Sequence, residues 1–404
     1  MCNKTIFNIS FTCYLLYAIM ECLSVPFPRV LQWGFFVVWL GLFLTSYKLG
    51  RIKGGIALLI FLLFVFVCSV PWGITTVLGR LLTMLETISP FFAFLFYKDD
   101  RRKIKTFLIV FLTILAVNEV LAFRNLSAIM ESGLRETLSS NASYEQEVFK
   151  NGFAFVYTLS IFVPLLVYAL IHHKQWRLTG NRHNWWFIVL ILLTVAFTVF
   201  VYVSMFTTAL LIVGLGLILA FLYGRKYWIL KSVCIIGVSV FVFLAFYQEL
   251  LSAIGSNSAA TAFISIRIEE IYLALTGDVA QAADLNSRSK LMSLSFNTFL
   301  KNPLTGVYSQ LPSFNAYRAS GIGNHSEWLD MLGLYGMFAF LLFWFISRVV
   351  VDQKEFSGVM IPIYLYLLIG FVNPVWATFT NLYVFLVIPF LLSYLFEKKV
   401  KLSV

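Results

Sequence analysis

The chain carries little charge for its length. Aspartate, glutamate, lysine and arginine make up only 12% of the 404 residues, about half the share found in a typical soluble domain. Hydrophobic residues reach 60% and the mean hydropathy is +0.87. Too few polar side chains are present to cover a water-soluble globule. Soluble, secreted, disordered and fibrous proteins are therefore excluded, and the composition predicts a polytopic membrane protein.

Cysteine is scarce as well. The five cysteines lie in or beside apolar segments, and none belongs to a CxxC pair or to a metal-binding spacing: Cys2, Cys13, Cys22, Cys68 and Cys234. This usage supports neither a disulfide framework nor a zinc site. We expect no metal and no other cofactor.

Long apolar runs make up most of the sequence. A helix needs about 20 apolar residues to cross the hydrocarbon core of a bilayer. Twelve runs are close to that length: 6–25, 30–47, 55–73, 77–97, 104–123, 153–171, 185–203, 207–223, 229–247, 329–349, 357–374 and 376–396. We therefore predict an all-α membrane protein with about 12 transmembrane helices.

The basic residues predict the orientation of these helices. With the N-terminus in the cytoplasm, the cytoplasmic connections contain 20 of the 30 lysines and arginines, but only 5 of the 19 acidic residues. Positive charge is enriched in cytoplasmic loops, so both termini are expected inside. The two long connections, 124–152 and 248–328, then face outward. The chain divides into helices one to nine (1–247), a large extracytoplasmic loop (248–328), and helices ten to twelve with a cytoplasmic tail (329–404).

The large outer loop contains two predicted amphipathic helices, each with an arginine. Arg267 belongs to the first, at 262–272, and Arg288 begins the second, at 288–300. Such helices either pack against the bundle or lie in the membrane interface with the apolar face down. The apolar side of the second is predicted at Leu291, Leu294, Phe296 and Phe299.

A polar stretch precedes the tenth helix and contains a histidine. Asn324, followed three residues later by Glu327, fits a capping box, which would place His325 in the first turn of the helix. The free N–H groups there favour anions, and the helix dipole keeps the imidazole neutral and able to accept a proton. Taken alone, the residues leave a functional and a merely solvated histidine equally open.

An ordered set of motifs in this region is similar to that of a known family. It spans about 264–336 and begins with the amphipathic stretch that contains Arg267. It continues with Ser-Arg288-Ser, then Phe-Leu-Lys-Asn-Pro-Leu-Thr-Gly at 299–306, then Gly-Asn-His-Ser-Glu-Trp-Leu-Asp-Met-Leu-Gly-Leu-Tyr-Gly at 323–336. Together with the late outer loop, this resembles the O-antigen polymerase/ligase superfamily (Wzy/WaaL-like), and most closely the oligosaccharide repeat-unit polymerases. The chain departs from the pattern at 204–209, where an arginine is missing.

The resemblance implies a C-type glycosyltransferase-like membrane fold and an activity at the outer face of the bacterial cytoplasmic membrane. That activity is polymerisation of polyprenyl-diphosphate-linked oligosaccharide units into surface polysaccharide, by inverting and metal-independent transfer. An O-antigen ligase and a lipid-linked oligosaccharide flippase or other transporter stay open as alternatives. The partners implied are the lipid-linked donor and acceptor, the bilayer, a chain-length regulator and a flippase; no nucleic acid is expected.

The resemblance also implies roles for individual residues. His325 would be the catalytic base, while Arg267 and Arg288 would neutralise the diphosphate, since a guanidinium binds phosphate oxygens bidentately. The outer loops contain no Asp-x-Asp that would hold a metal for this purpose. Arg80 or Arg124 would replace the missing arginine. The full predicted substrate-binding set is Arg80, Arg124, Asn324, Glu327 and Asp330.

Overall fold

A computed structural model describes most of the chain. The described residues are 4–23, 27–46, 54–130, 152–204, 206–254, 259–277, 283–311, 321–353 and 358–396. Within these ranges the regular structure is helical, apart from one isolated β-bridge between Trp176 and Phe396.

We number the helices in chain order. They are α1 Lys4–Cys22, α2 Arg29–Ser46, α3 Gly55–Ser69, α4 Ile74–Tyr97, α5 Arg101–Met130, α6 Gly152–Ile171, α7 Asn181–Val203, α8 Thr207–Leu222, α9 Trp228–Ala245, α10 Tyr247–Ile254, α11 Ala259–Thr276, α12 Ala283–Lys301, α13 Glu327–Tyr335, α14 Ala339–Gln353, α15 Met360–Val372, α16 Thr378–Leu382 and α17 Ile388–Leu395. A π-helical turn joins α16 to α17.

The helices confirm a multi-pass membrane protein. Within the described residues, ten stretches are long and apolar enough to cross a bilayer, and two shorter apolar helices, α8 and α15, match the predicted eighth and eleventh. Large apolar side chains are exposed on the outside of the bundle, such as Leu192 at 62% and Phe241 at 71%. Such surface suits lipid and disfavours water. The count of twelve crossings and the sidedness stay predictions.

The last membrane stretch, Thr378–Leu395, forms the centre of the bundle. It is 89% buried and packs against α4, α5 and α6. Asn381 Nδ2 donates to the Thr87 carbonyl at 3.1 Å, and the Phe385 ring lies 4.4 Å from that of Phe91. By contrast, α9 is only 6% buried and lies at the edge, so the packing is tightest around the C-terminal helices.

The predicted outer loop is largely helical, in α10, α11 and α12. On α12, Ser295 and Thr298 are buried, whereas Leu294 and Phe296 of the predicted apolar side are 40% and 44% exposed. Contact of that side with the membrane interface stays a prediction. The small polar side chains let the following chain approach the helix closely. The connection predicted at 124–152 is also shortened, since α5 continues to Met130; residues 131–151 lie outside the described part.

Candidate active site

Asp330 organises the short segment that contains His325. Its carboxylate, buried in the first turns of α13, accepts the Ser295 hydroxyl of α12. It also accepts the backbone N–H groups of Asn324 and Ser326, both at 3.3 Å, and that of His325. Because a carboxylate that accepts several hydrogen bonds holds its donors firmly, Asp330 fixes residues 324–326 against α12.

The same segment approaches α12 too closely for a larger residue before Asn324. The Gly323 N–H donates to Ser295 Oγ at 2.8 Å, and a Cβ atom at position 323 would lie 2.1 Å from the Leu291 carbonyl oxygen. Asn324 has a positive φ of 56°, a conformation that asparagine tolerates better than most residues. Gly323 and Asn324 therefore turn the chain so that the half-buried His325 follows immediately.

The predicted capping box does not form. The helix begins at Glu327, its N-cap is Ser326, and the Ser326 side chain makes no capping hydrogen bond to the helix. His325 consequently lies before the helix and not in its first turn. Glu327 does bind backbone N–H groups, but they are those of Val375 and Trp376, both at 2.9 Å. Glu327 therefore ties the start of α13 to the chain between α15 and α16.

A groove lies between α12 and the membrane helices α8 and α15. It has a volume of about 760 Å³, and its walls are mostly apolar. Polar groups come chiefly from α12, whose Arg288 is half-buried there. Leu329, four residues after His325, contributes to the wall from α13. The lining residues are Thr208, Leu211, Ile212, Arg288, Ser289, Met292, Ser293, Phe296, Asn297, Leu329, Leu368 and Val372.

Arg288 is the one cationic side chain among the described residues that line the groove. Thr208, across from it on α8, belongs to the stretch 204–209 in which the arginine of the family pattern is missing. The groove thus combines an apolar wall, a single guanidinium and several hydroxyl and amide groups. Such a surface suits an amphiphile that has a hydrocarbon tail and an anionic head.

Arg80 is not among the residues that line the groove. It lies in α4, 3% exposed, and donates to the Leu311 carbonyl and, at 3.4 Å, to Ser69 Oγ. Its guanidinium carbon lies 4.6 Å from the centre of the Tyr308 ring. Nearby, Trp72 Nε1 donates to the Ser309 carbonyl at 3.0 Å. We call this arrangement the clamp: Ser69, Trp72 and Arg80 holding residues 308–311.

Burial in the clamp raises the pKa of the Tyr308 hydroxyl to about 12, while the nearby Arg80 charge and the Ser69 side chain act in the opposite direction. The phenol is therefore neutral throughout the physiological pH range.

Two predicted arginines lie in helices, but their side chains are outside the described residues. Arg267 belongs to α11 and Arg124 to the end of α5. Their predicted contacts with substrate stay predictions. In the described part of the chain, no group of three or more histidine, cysteine, aspartate or glutamate side chains is positioned to hold a metal ion.

Ser295, Ser69 and Trp72 were missed by reasoning from the sequence. Ser295 lies in a helix whose hydrophobic residues we considered in the sequence. Its hydrogen bonds form only because the chain returns to this helix at Gly323. The one available signal was its spacing, since Leu291, Ser295 and Thr298 fall on one face of a helix. Ser69 and Trp72 are more than 200 positions from residues 308–311, and no local pattern links them.

Comparison of the chain with protein-family models, with curated proteins and with solved structures finds no match.

Proposed function

We propose that the protein is a membrane glycosyltransferase that polymerises polyprenyl-diphosphate-linked oligosaccharide units. The reaction takes place at the outer face of the bacterial cytoplasmic membrane, and both termini are cytoplasmic. The product is a surface polysaccharide such as O-antigen, capsule or exopolysaccharide. The proposal extends the motif resemblance at 264–336 to the groove and to the segment that contains His325.

The observation that carries the proposal is the groove beside α12. A lipid-linked diphosphate needs an apolar path for its isoprenoid chain and a cation for its phosphates, and both needs are met by the groove with Arg288. The sugar needs a polar environment next to the diphosphate. We assign that role to the segment 323–326, which is fixed by Asp330 and ends three residues before the groove-lining Leu329.

The proposed step is a single displacement. A hydroxyl oxygen of the acceptor sugar attacks the anomeric carbon of the donor, and the bond from that carbon to the diphosphate oxygen breaks. His325 takes the hydroxyl proton, which is worth about 10²–10⁴-fold in rate for a general base. Arg288, together with Arg267, stabilises the negative charge that develops on the departing polyprenyl diphosphate. Attack opposite the leaving group inverts the configuration at the anomeric carbon.

Glycan length tests this proposal. The gene is deleted in its host, and the strain is complemented with the wild type, His325→Ala, Arg288→Ala or Arg267→Ala at matched protein levels. We expect a ladder of chain lengths from the wild type and single lipid-linked units from the variants. Matched controls are Lys290→Ala, an exposed cation on α12 outside the groove lining, and His183→Ala, a half-buried histidine in a different helix. Both controls are expected to give a normal ladder.

Three other outcomes would contradict the proposal. Normal ladders from all three variants would remove the proposed site. Polymer that forms in the deletion strain but is not attached to its envelope acceptor would indicate a ligase. Repeat units that accumulate on the cytoplasmic side would indicate a flippase.

A further inference from the structure

We propose that Arg80 is a positioning residue, which holds residues 323–326, the segment that contains His325, through the clamp and does not touch the substrate. The inference rests on the proposed function for its kinetic test, but its structural test is independent of that function. It assigns a role to a membrane arginine for which the sequence indicated substrate binding.

The first step of the argument is that the protein itself surrounds the Arg80 guanidinium. One terminal nitrogen donates to the Leu311 carbonyl, the other to Ser69 Oγ, and the Tyr308 ring covers its face at 4.6 Å. A charged side chain in a membrane helix is costly unless its charge is met by polar groups or a water-filled cavity. Here a carbonyl, a hydroxyl and an aromatic ring interact with the charge of Arg80, and all three belong to the chain.

The second step is that the clamp joins distant parts of the sequence. Trp72 lies in the connection between α3 and α4 and Arg80 lies in α4, whereas residues 308–311 follow α12. Phe64 of α3 reinforces the contact, since its ring lies 6.4 Å from that of Tyr308. The pair of helices α3 and α4 thereby fixes the chain that follows α12.

The third step connects the clamp to His325. The Tyr308 ring, which lies on Arg80, packs at 4.9 Å against the Tyr335 ring in the last turn of α13. The same helix holds Asp330, which binds the backbone of residues 324–326. Tyr335 also contacts Phe61 of α3 at 5.2 Å. The position of α13, and with it that of His325, therefore depends on the clamp.

A close backbone crossing strengthens this connection. Gly306 has a φ of +59°, and a Cβ atom there would lie 2.1 Å from the Leu334 carbonyl oxygen. The Val307 N–H donates to the Gly333 carbonyl at 3.1 Å. The residues just before the clamp are thus bonded directly to α13, so that a shift of residues 308–311 is transmitted to the helix.

Hydrogen–deuterium exchange of the full-length protein in lipid nanodiscs tests the structural part. The variants are Arg80→Met, which keeps the length of the side chain without its charge, Arg80→Lys and Trp72→Phe. We expect Arg80→Met to speed amide exchange about tenfold both at 308–311 and at 323–326, because charge-assisted hydrogen bonds are lost. The other two variants are expected to have smaller effects in the same direction. Arg348→Met, which removes an arginine stacked on Trp344 at 4.1 Å, is the matched control and leaves both segments unchanged.

Steady-state kinetics with the lipid-linked repeat unit as donor tests the catalytic part. The expected result for Arg80→Met is a fall in kcat of about tenfold with KM unchanged, and Arg80→Lys restores part of kcat. A raised KM with unchanged kcat would overturn the proposal, because it would indicate that Arg80 binds the diphosphate. Faster exchange at 308–311 alone, or at neither segment, would also overturn it. If the wild type transfers no glycan, the proposed function fails, and the exchange data still decide whether Arg80 holds both segments.

Discussion

Arg80 and Arg288 differ in what surrounds them, although both lie at the end of the bundle that carries α10–α12. In the clamp, Arg80 is covered by a carbonyl, a hydroxyl and an aromatic ring of the same chain. In the groove, Arg288 lines a space of about 760 Å³. The residue type is the same and both neighbourhoods are largely apolar. The difference teaches that an arginine in such a protein is a substrate-binding candidate where its surroundings leave room for a ligand, and a structural one where the protein fills that room.

The largest expected effect concerns the catalytic step, which we assign to His325 and not to the clamp. His325→Ala removes the proposed base, and the rate of chain extension by the purified enzyme is expected to fall by about 10²–10⁴-fold. Thermal stability is expected to stay close to that of the wild type, because the side chain is only half-buried. Initial rates and a thermal melt in nanodiscs measure both quantities. A rate within a few-fold of the wild type would remove His325 from the mechanism.

The next largest effect is expected from a substitution that fills the groove and leaves the clamp unchanged. Thr208→Trp adds bulk to the wall across from Arg288. We expect KM for the lipid-linked donor to rise about tenfold, equivalent to about 1.4 kcal/mol of binding, since a larger side chain displaces the isoprenoid. Val238→Trp is the control, on an α9 surface that is 63% exposed, and leaves KM unchanged. Equal KM values for both variants would contradict the assignment of the groove to the donor.

A smaller effect is expected at Asp330, which lies in α13 between the groove-lining Leu329 and Tyr335, whose ring packs on Tyr308 of the clamp. Asp330→Asn replaces one carboxylate oxygen by a donor and breaks part of the bonding to Ser295 and residues 324–326. Loss of a charged, buried acceptor costs about 1–3 kcal/mol. We expect faster amide exchange at 323–326 and a moderate fall in kcat. Ser295→Ala has a weaker effect of the same kind, whereas Ser287→Ala, exposed on the same helix, has none.

The smallest effect concerns the pH dependence of the clamp. The pKa of Tyr308 is raised from 10.0 to about 12 by burial, so the folded state binds the phenolic proton more tightly than the unfolded state. The stability that this provides is complete below pH 10 and is lost as the pH rises towards 12. Wild-type protein is therefore expected to lose more stability than Tyr308→Phe over that alkaline range. Parallel losses in chemical denaturation would show that Tyr308 titrates normally.

Much of the architecture could be predicted from the sequence, since it depends on local composition. Apolar runs indicated the membrane helices, and ten long apolar stretches with two shorter helices occupy those positions. The two loop helices with Arg267 and Arg288 were also predicted, because amphipathic spacing is a property of neighbouring residues. Errors arose at helix ends, where a cap depends on which donors are already satisfied. Glu327 illustrates this, since its carboxylate serves Val375 and Trp376 instead of its own helix.

The different roles that we propose for the two arginines rest on the tertiary structure. From the sequence, Arg288 in the loop and Arg80 in a membrane run were both expected to contact the substrate. Only the folded chain brings Leu311 and Tyr308 to Arg80, across more than 200 positions. The same folding leaves α12 at a distance from α8 and α15 and so opens the groove. Hydropathy determines which segments enter the membrane, because transfer free energy is additive along the chain. Which side chains come into contact depends on packing between distant segments, and local sequence patterns do not predict that packing.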